Sequence, residues 1–371
     1  MRRVTKRFLI FLNCFVALGF LLGAYAYAFN PVSFWFIGFF ALAAFYLLLV
    51  LFLFFLFWLF ARPALALIST AAILAAWKPL QNIVQLRMSP NFVMKKHPAN
   101  LRVMSWNVEL FEIAEHKKHP EKKQEMINII RAYNPDVACF QEMVGAVGDT
   151  SAINYVPELM KDLGFREYHY AYNPKLDFDH QHHFGIIIFS KYPLIKKHNV
   201  SYAPFDYNSI FQYADVVKDG DTIRLINLHL QSLRFDKENL DYITKPVVND
   251  GKVLNKSKNL LVKFKRGFLR RSDQANRIAT SIKESPHPVI VCGDFNDVPN
   301  SYAYHTIGSG MRNAFTEKGT GIGRTFSGIS PTLRIDNIFT SPHFNIEQFV
   351  RIKKNLSDHY PLVADLFLSK P

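Results

Sequence analysis

Pro288-Val289-Ile290-Val291-Cys292-Gly293-Asp294-Phe295-Asn296-Asp297 is an apolar run that stops at a glycine and then presents two polar side chains. A short apolar run bounded by a turn signal reads as a buried strand. Residues two apart in extended chain face the same way, so Asp294 and Asn296 project together from the strand mouth. An aspartate in such a place also serves as a turn former, so the reading depends on what accompanies it.

The same design recurs along the second part of the chain. Val103-Met104-Ser105-Trp106-Asn107 ends a strand on a carboxamide, and Val137-Ala138-Cys139-Phe140-Gln141-Glu142 ends one on a carboxylate. Leu225-Ile226-Asn227-Leu228-His229-Leu230 alternates, so that Asn227 and His229 face away from the leucines and the isoleucine. Arg334-Ile335-Asp336-Asn337-Ile338-Phe339 carries an acid within a strand, and Leu356-Ser357-Asp358-His359-Tyr360-Pro361 sets acid and imidazole side by side before the last strand. Singly, each has a structural alternative: Asn107 or Asp358 as a cap, His229 as a satisfied core histidine, Asp336 as half of a buried ion pair. Six such sites in one domain are poorly explained by six separate structural reasons. Helices are expected at Pro120 to Tyr133, about Val156 to Leu163, and about Arg271 to Lys283. Two sheets covered by helices satisfy the order of elements.

In order and wording these motifs resemble the endonuclease/exonuclease/phosphatase superfamily, the deoxyribonuclease I-like fold. The resemblance covers roughly Asn100 to Ser369, and Phe184-Gly185-Ile186-Ile187-Ile188-Phe189-Ser190-Lys191-Tyr192-Pro193 is similar to a structural strand of that family. It implies a four-layer α/β/β/α sandwich with the site where both sheets open. It also implies a metal-dependent phosphoester hydrolase in which Glu142 is the main Mg²⁺ ligand, with Asn107 and Asp358 beside the metal and Mn²⁺ as a substitute. Asp294 and Asn296 would meet the scissile phosphate and the attacking water, His229 would donate to a phosphate oxygen, and Asp336 would hold His359 as an acid/base pair. Hard Mg²⁺ prefers a few carboxylate oxygens and keeps waters that a phosphate can replace, so this donor set suits the chemistry. Asp294 and His359 both remain candidates for the general base.

Ahead of this domain the composition changes. The first hundred residues contain no Asp or Glu but hold Arg2, Arg3, Lys6, Arg7, Arg62, Lys78, Arg87, Lys95 and Lys96. The formal charge of +14 therefore misleads: without these nine, 35 basic residues face 30 acidic ones, a net of +5. Uncharged runs from Phe8 to Phe29 and Phe34 to Phe60 are each long enough to cross a bilayer of about 30 Å. We expect a membrane anchor over residues 1–86, with helices near 8–29 and 34–60, a third candidate over 63–84, a tether over 87–100, and the catalytic domain over 101–371. Positive charge before the first helix sets the amino terminus inside. Three crossings, the expected number, export the domain to the non-cytoplasmic side, whereas two leave it in the cytosol. Lys78 at mid-depth would argue against the third. Cys14, Cys139 and Cys292 have no paired spacing, which argues against a disulfide framework or a zinc site.

Substrate choice must come from loops. The segment Ser232 to Arg271 carries eight cations without an acid between Lys252 and Arg271, together with Phe264, Phe268 and Leu269. Lys263, Lys265, Arg266, Arg270 and Arg271 are the expected substrate contacts, and His180, His182 and His183 are candidates for the same mouth. Basic and aromatic side chains together suit a nucleic-acid backbone with stacked bases, and they suit an anionic membrane surface as well. Nucleic-acid phosphodiesters are the first expectation, lipid or inositol phosphoesters the second. A non-catalytic membrane-tethered interaction module is the reading from another class, and the intact set of polar residues argues against it.

Overall fold

Residues 3–24 and 37–61 form two apolar helices, α1 (Arg3–Ala24) and α3 (Ile37–Ala61), of 22 and 25 residues. At 1.5 Å per residue these are about 33 and 37 Å long, enough to cross a membrane. The computed structural model describes residues 3–88, 90–115, 118–146, 153–172, 181–201, 210–233, 235, 239 and 253–369. The connection between the two long helices is not a tight turn. A 3₁₀ turn (Ala26–Ala28) leads to the short helix α2 (Pro31–Phe34), because the Asn30 side chain accepts from Val32 N at 2.9 Å and Pro31 sits in the first turn. The third candidate is broken. Helices α4 (Pro63–Ala75) and α5 (Trp77–Ile83) meet at a 69° bend. Ser69 Oγ donates to Asn13 Oδ1 at 3.0 Å, and Tyr25 Oη donates to Ala75 O at 2.5 Å. These two bonds make α4 parallel to α1 and bring the ends of both to the same end of the bundle. Lys78 thus sits beyond the bend near Tyr27 and His305.

The remaining strands and helices are β1 (Leu101–Asn107), α6 (Pro120–Tyr133), β2 (Val137–Ala146), α7 (Val156–Leu163), β3 (Glu167–Tyr172), β4 (His182–Ser190), β5 (Leu194–Ser201), β6 (Ile210–Lys218), β7 (Asp221–His229), α8 (Val253–Lys283), β8 (Val289–Asp294), α9 (Tyr302–Ile307), β9 (Arg312–Asn313), α10 (Ala314–Lys318), β10 (Asp336–Thr340), β11 (Phe344–Arg351) and β12 (Leu362–Leu368). Among the described residues they build two six-stranded sheets, ordered β11-β12-β1-β2-β4-β3 and β5-β6-β7-β8-β10-β9. Val103, Cys139 and Ile188 of the first sheet meet Leu225, Ile290, Cys292 and Ile338 of the second in a dry central layer. The outer face of the first sheet is covered by Met126, Ile130 and Leu159 of α6 and α7, and that of the second by Ala275, Ile278 and Tyr304 of α8 and α9. This is the four-layer α/β/β/α sandwich, and the alternation of apolar residues along each strand produces it directly.

Three elements differ from expectation. Strands β5 and β11 were not expected; both are sheet edges, with Lys196-Lys197 and Glu347 exposed, although β11 alternates Phe344 and Ile346 inward with Asn345 and Glu347 outward. Helix α8 begins at Val253, not near Arg271, so the basic stretch is helical where a loop was expected. Its Phe264 and Phe268 rings lie 5.1 and 5.6 Å from Phe39 of α3, and Lys265 Nζ lies 5.4 Å from the Trp35 ring centre. Gly38 permits this: a Cβ there would stand 2.6 Å from the Phe268 ring. The remainder of the expected recognition segment, residues 234, 236–238 and 240–252, lies outside the described residues.

The amino-terminal helices and the sandwich also meet at His305. Its ring stacks on Tyr27 at 3.8 Å and its Nε2 lies 3.3 Å from Asn82 Nδ2. Burial, with the charge of Lys78 adding to it, pushes the imidazole down to about 4. The unfolded chain therefore binds a proton that the folded chain refuses between pH 6.5 and about 4. Stability should fall as pH drops through that window, by on the order of 3 kcal/mol. Thermal unfolding of the full chain at pH 7 and pH 4.5 measures this, and His305→Gln is expected to remove most of the difference. An equal acid sensitivity in the variant would refute the assignment.

Candidate active site

Strands β1, β2, β7 and β8 run parallel in pairs, so their carboxyl ends open together at one end of the sandwich. β8 delivers Asp294 opposite His229 of β7 and opposite Asp336 of β10. Gly293 makes this possible. Its φ is +144°, and a Cβ there would lie 2.0 Å from Leu228 O, so any side chain would force β7 and β8 apart. β2 was expected to end at Glu142 but continues to Ala146. The pairing with β4 slips between Phe140 and Met143, and Glu142 takes a φ of +52°. A bulge of this kind re-aims a side chain, and here it leaves Glu142 beside His229, with Oε1 3.9 Å from Nε2.

Asp294 is at the centre and is fully buried. Its Oδ1 accepts from Asn296 N at 2.7 Å, and its Oδ2 accepts from Asn296 Nδ2 at 3.2 Å and Asn107 Nδ2 at 3.3 Å. His229 Nε2 stands 3.5 Å and His359 Nε2 3.8 Å from the same Oδ2. Asn296, held at φ +49°, also donates to Leu230 O at 3.0 Å, which ties the end of β8 to that of β7. Asp336 lies 2.9 Å from His359 Nδ1 and fixes the ring with Nε2 toward Asp294. Asp358 Oδ1 is 3.7 Å from His359 Nε2 and, like Glu142, is partly open to solvent. All eight expected catalytic and metal-site residues, Asn107, Glu142, His229, Asp294, Asn296, Asp336, Asp358 and His359, therefore converge.

Electrostatics follow from this crowding. Burial raises the Asp294 carboxyl to about 8, opposed by the charge of His359. Burial works to lower the His359 imidazole, but Asp336 and then Asp294 hold it well above its ordinary value. Burial raises Asp358 as well. Four carboxylates facing two imidazoles leave an excess of negative charge that a hard divalent cation would offset. Glu142, Asp358 and the Asn107 carboxamide supply oxygen donors of the type such a cation takes. Among the described residues, liganding atoms of Asp294, Asp336 and His359 also lie within 4.8 Å of one another.

Supporting residues had been given no role in the sequence reading. Gln141 Nε2 donates to Asn227 Oδ1 at 2.7 Å, and Asn227 Nδ2 donates to Phe140 O and Ile187 O, stitching the two sheets beneath Glu142 and His229. Ser357 Oγ donates to Asn107 O at 2.8 Å, Trp106 Nε1 to His359 O at 2.9 Å, and Glu109 Oε2 accepts from Asp358 N. The alternation that marked His229 also marked Asn227; Glu109 carries no such signal.

One of the expected substrate contacts requires correction. Arg271 is buried, donating to Asp297 Oδ2 at 3.0 Å and to Gln231 O at 3.0 Å, so it braces the loop after Asn296 and is not a surface contact. Arg270 donates to Gln231 Oε1. Lys265 is drawn to Trp35, and Lys263 and Arg266 stand on the same helix. His182 accepts from Ile153 N and His183 stacks on Tyr172 within the first sheet, while His180 is outside the described residues.

The profile of the Endonuclease/Exonuclease/phosphatase family matches residues 104–359, well over half of the chain. The chain belongs to that family. Endonuclease/exonuclease/phosphatase proteins are generally phosphoester hydrolases. A second profile, described as a domain of unknown function, matches residues 6–83. Among solved structures, the human Nocturnin catalytic domain with bound sulfate is similar at 19% identity and a TM-score of 0.53, covering 77% of this chain and 100% of its own. A family member from Bacteroides thetaiotaomicron shows 16% identity and a TM-score of 0.52, over 74% of this chain and 100% of its own. Another from Bacteroides vulgatus shows 19% identity and a TM-score of 0.52, over 73% and 99%. No curated protein matches the chain.

Proposed function

We propose that the chain is a membrane-anchored phosphoesterase that depends on Mg²⁺, with Mn²⁺ as a substitute, and cleaves a phosphodiester. The convergence of the eight polar side chains around Asp294 carries this reading. Glu142, with Asn107 and Asp358, would hold the cation, which supplies charge neutralisation at the phosphoryl oxygens. His229 would donate to a non-bridging oxygen. Asn296 and Asp294 share the face on which a phosphate would meet its attacking water, and the Asp336-oriented His359 can take or return a proton at Nε2. Parallel α1 and α4 favour three crossings, with residue 3 and the catalytic domain at opposite ends of the bundle. With positive charge kept inside, the domain lies on the non-cytoplasmic side.

The nucleic-acid expectation loses its main support. Phe264 and Phe268 face Phe39 of the anchor and do not offer bases a stacking platform. Full-length protein in nanodiscs, assayed on bis(4-nitrophenyl) phosphate, plasmid DNA, RNA, sphingomyelin vesicles and inositol phosphates, tests the activity. Hydrolysis of at least one diester, lost on chelation and regained with Mg²⁺, is expected. Turnover that survives chelation would reject the metal-dependent reading.

A further inference from the structure

Residues 326–333 form a loop closed at its base by two bonds, from Thr325 N and Phe326 N to Leu333 O, at 2.9 and 3.1 Å. Compact loops with adjoining ends are frequently functional. The inner side of this one touches the site. The Phe326 ring lies 5.0 Å from that of His359, Ser327 N donates to Asp358 O at 2.6 Å, and Thr325 Oγ1 accepts from Asp336 N at 3.0 Å. Its outer side touches the anchor. Ser330 Oγ is 2.7 Å from Tyr46 Oη, and Leu333 packs with Ile37, Ala41 and Val298.

The depth of Tyr46 gives this contact a meaning. Hydrocarbon about 30 Å thick takes about 20 helical residues. Counted back from Arg62, which follows α3, that length reaches Leu42, so Tyr46 lies one turn inside the boundary. Below it Leu49, Val50, Phe52, Leu53, Leu56 and Phe57 are exposed, an apolar surface suited only to lipid. Counted from Arg7, the same length ends at Tyr27, and the aromatic residues Tyr25, Tyr27 and Trp77 gather at that end of the bundle as interfacial belts do. The loop tip is thus held where headgroups meet acyl chains. There Ile329, 38% exposed and β-branched, occupies a left-handed φ of +45°, a conformation such residues rarely adopt. Its apolar side chain is partly exposed to the medium.

We propose that loop 326–333 is a bilayer-seated lip of the catalytic mouth, and that the phosphoester taken by the site is carried by a lipid of the leaflet in which the loop sits. The proposal rests on the phosphoesterase reading for its chemistry, but the lip's contact with lipid does not. Continuity with the anchor interface sets the occupant: an element fixed to both Tyr46 and His359 leaves the site no approach remote from the membrane surface on that side.

Two measurements on the full chain in nanodiscs separate the parts. In the first, Ile329→Cys in a Cys14→Ser background is labelled with an environment-sensitive fluorophore, Cys139 and Cys292 being buried. Nitroxide-bearing lipids are expected to quench the label strongly; an unquenched label overturns the lip. The second compares initial rates on vesicles of sphingomyelin, phosphatidylglycerol and phosphatidylinositol in phosphatidylcholine with those on bis(4-nitrophenyl) phosphate and a single-stranded oligonucleotide. Ile329→Asp, whose side chain tolerates left-handed backbone, is expected to lower the ratio of vesicle to soluble rate at least tenfold, and Ile329→Leu to restore it. Turnover confined to the oligonucleotide or the soluble diester overturns the lipid substrate. Failure on every substrate, the soluble diester included, counts instead against the phosphoesterase reading, and the quenching result then decides the lip alone.

Discussion

Asp294→Asn is expected to lower kcat/KM on bis(4-nitrophenyl) phosphate by at least ~10³-fold while moving the thermal midpoint by only a few degrees. A positioned acid or base contributes on the order of 10²–10⁴-fold, and Asp294 also orients the two carboxamides that flank it, so the loss should fall in the upper part of that range. Folding should tolerate the change because the substitution is isosteric and removes a group that burial already disfavours as an anion, its pKa standing at about 8. The amide can still accept from Asn296 N, while its NH₂ group must face donors from Asn107 and Asn296. With the carboxyl already held mostly neutral, that mismatch is the main cost, which is why only a small change in stability is anticipated. Steady-state kinetics alongside calorimetry check both halves. A folded variant with turnover within tenfold of the parent would remove Asp294 from the chemistry.

Asp294 was legible in the sequence because a strand's two-residue period leaves no freedom: once Val289, Val291 and Gly293 face one way, Asp294 and Asn296 face the other. The same holds for Asn107, His229 and Asp336, each fixed by the apolar residues beside it. Glu142 was legible as a residue and not as a conformation. The register slip and φ of +52° that aim it come from pairing with β4, some forty residues on, and glutamate carries no local mark of a bulge. Helix α8 was misread for a similar reason. Phe264 and Phe268 satisfy helical spacing, but the surface they cover is Phe39, more than two hundred residues earlier, so they read as loop aromatics among cations. Arg271 belonged to the same misreading: its partner Asp297 follows the catalytic motif and had been given no role. The rim loop was invisible, since nothing between Phe326 and Leu333 hints at a bond to Tyr46.

Glu142→Gln is the second large effect, and it distinguishes two places where a cation could sit. The group Asp294, Asp336 and His359 is compact enough to ligate one. Yet His359 Nδ1 is engaged by Asp336 at 2.9 Å, and Asp294 already accepts three hydrogen bonds, so a cation there would have to break the pair that orients the imidazole. Glu142 and Asp358, partly open to solvent, offer carboxylate oxygens at the mouth, where bound waters could be kept and exchanged for phosphate. On this argument Glu142→Gln, which deletes one charge and keeps the shape, should weaken binding of Mn²⁺ at least ~10-fold, about 1.4 kcal/mol, with kcat falling ~10²-fold or more even at saturating Mg²⁺. Paramagnetic resonance of free Mn²⁺ measures the binding without any turnover. Asp336→Asn should lower kcat while leaving the Mn²⁺ affinity near that of the parent, because it disturbs the imidazole and not the ligands. The reverse pattern, affinity lost with Asp336 and kept without the Glu142 charge, would move the cation to the interior of the site and leave the proton to another group.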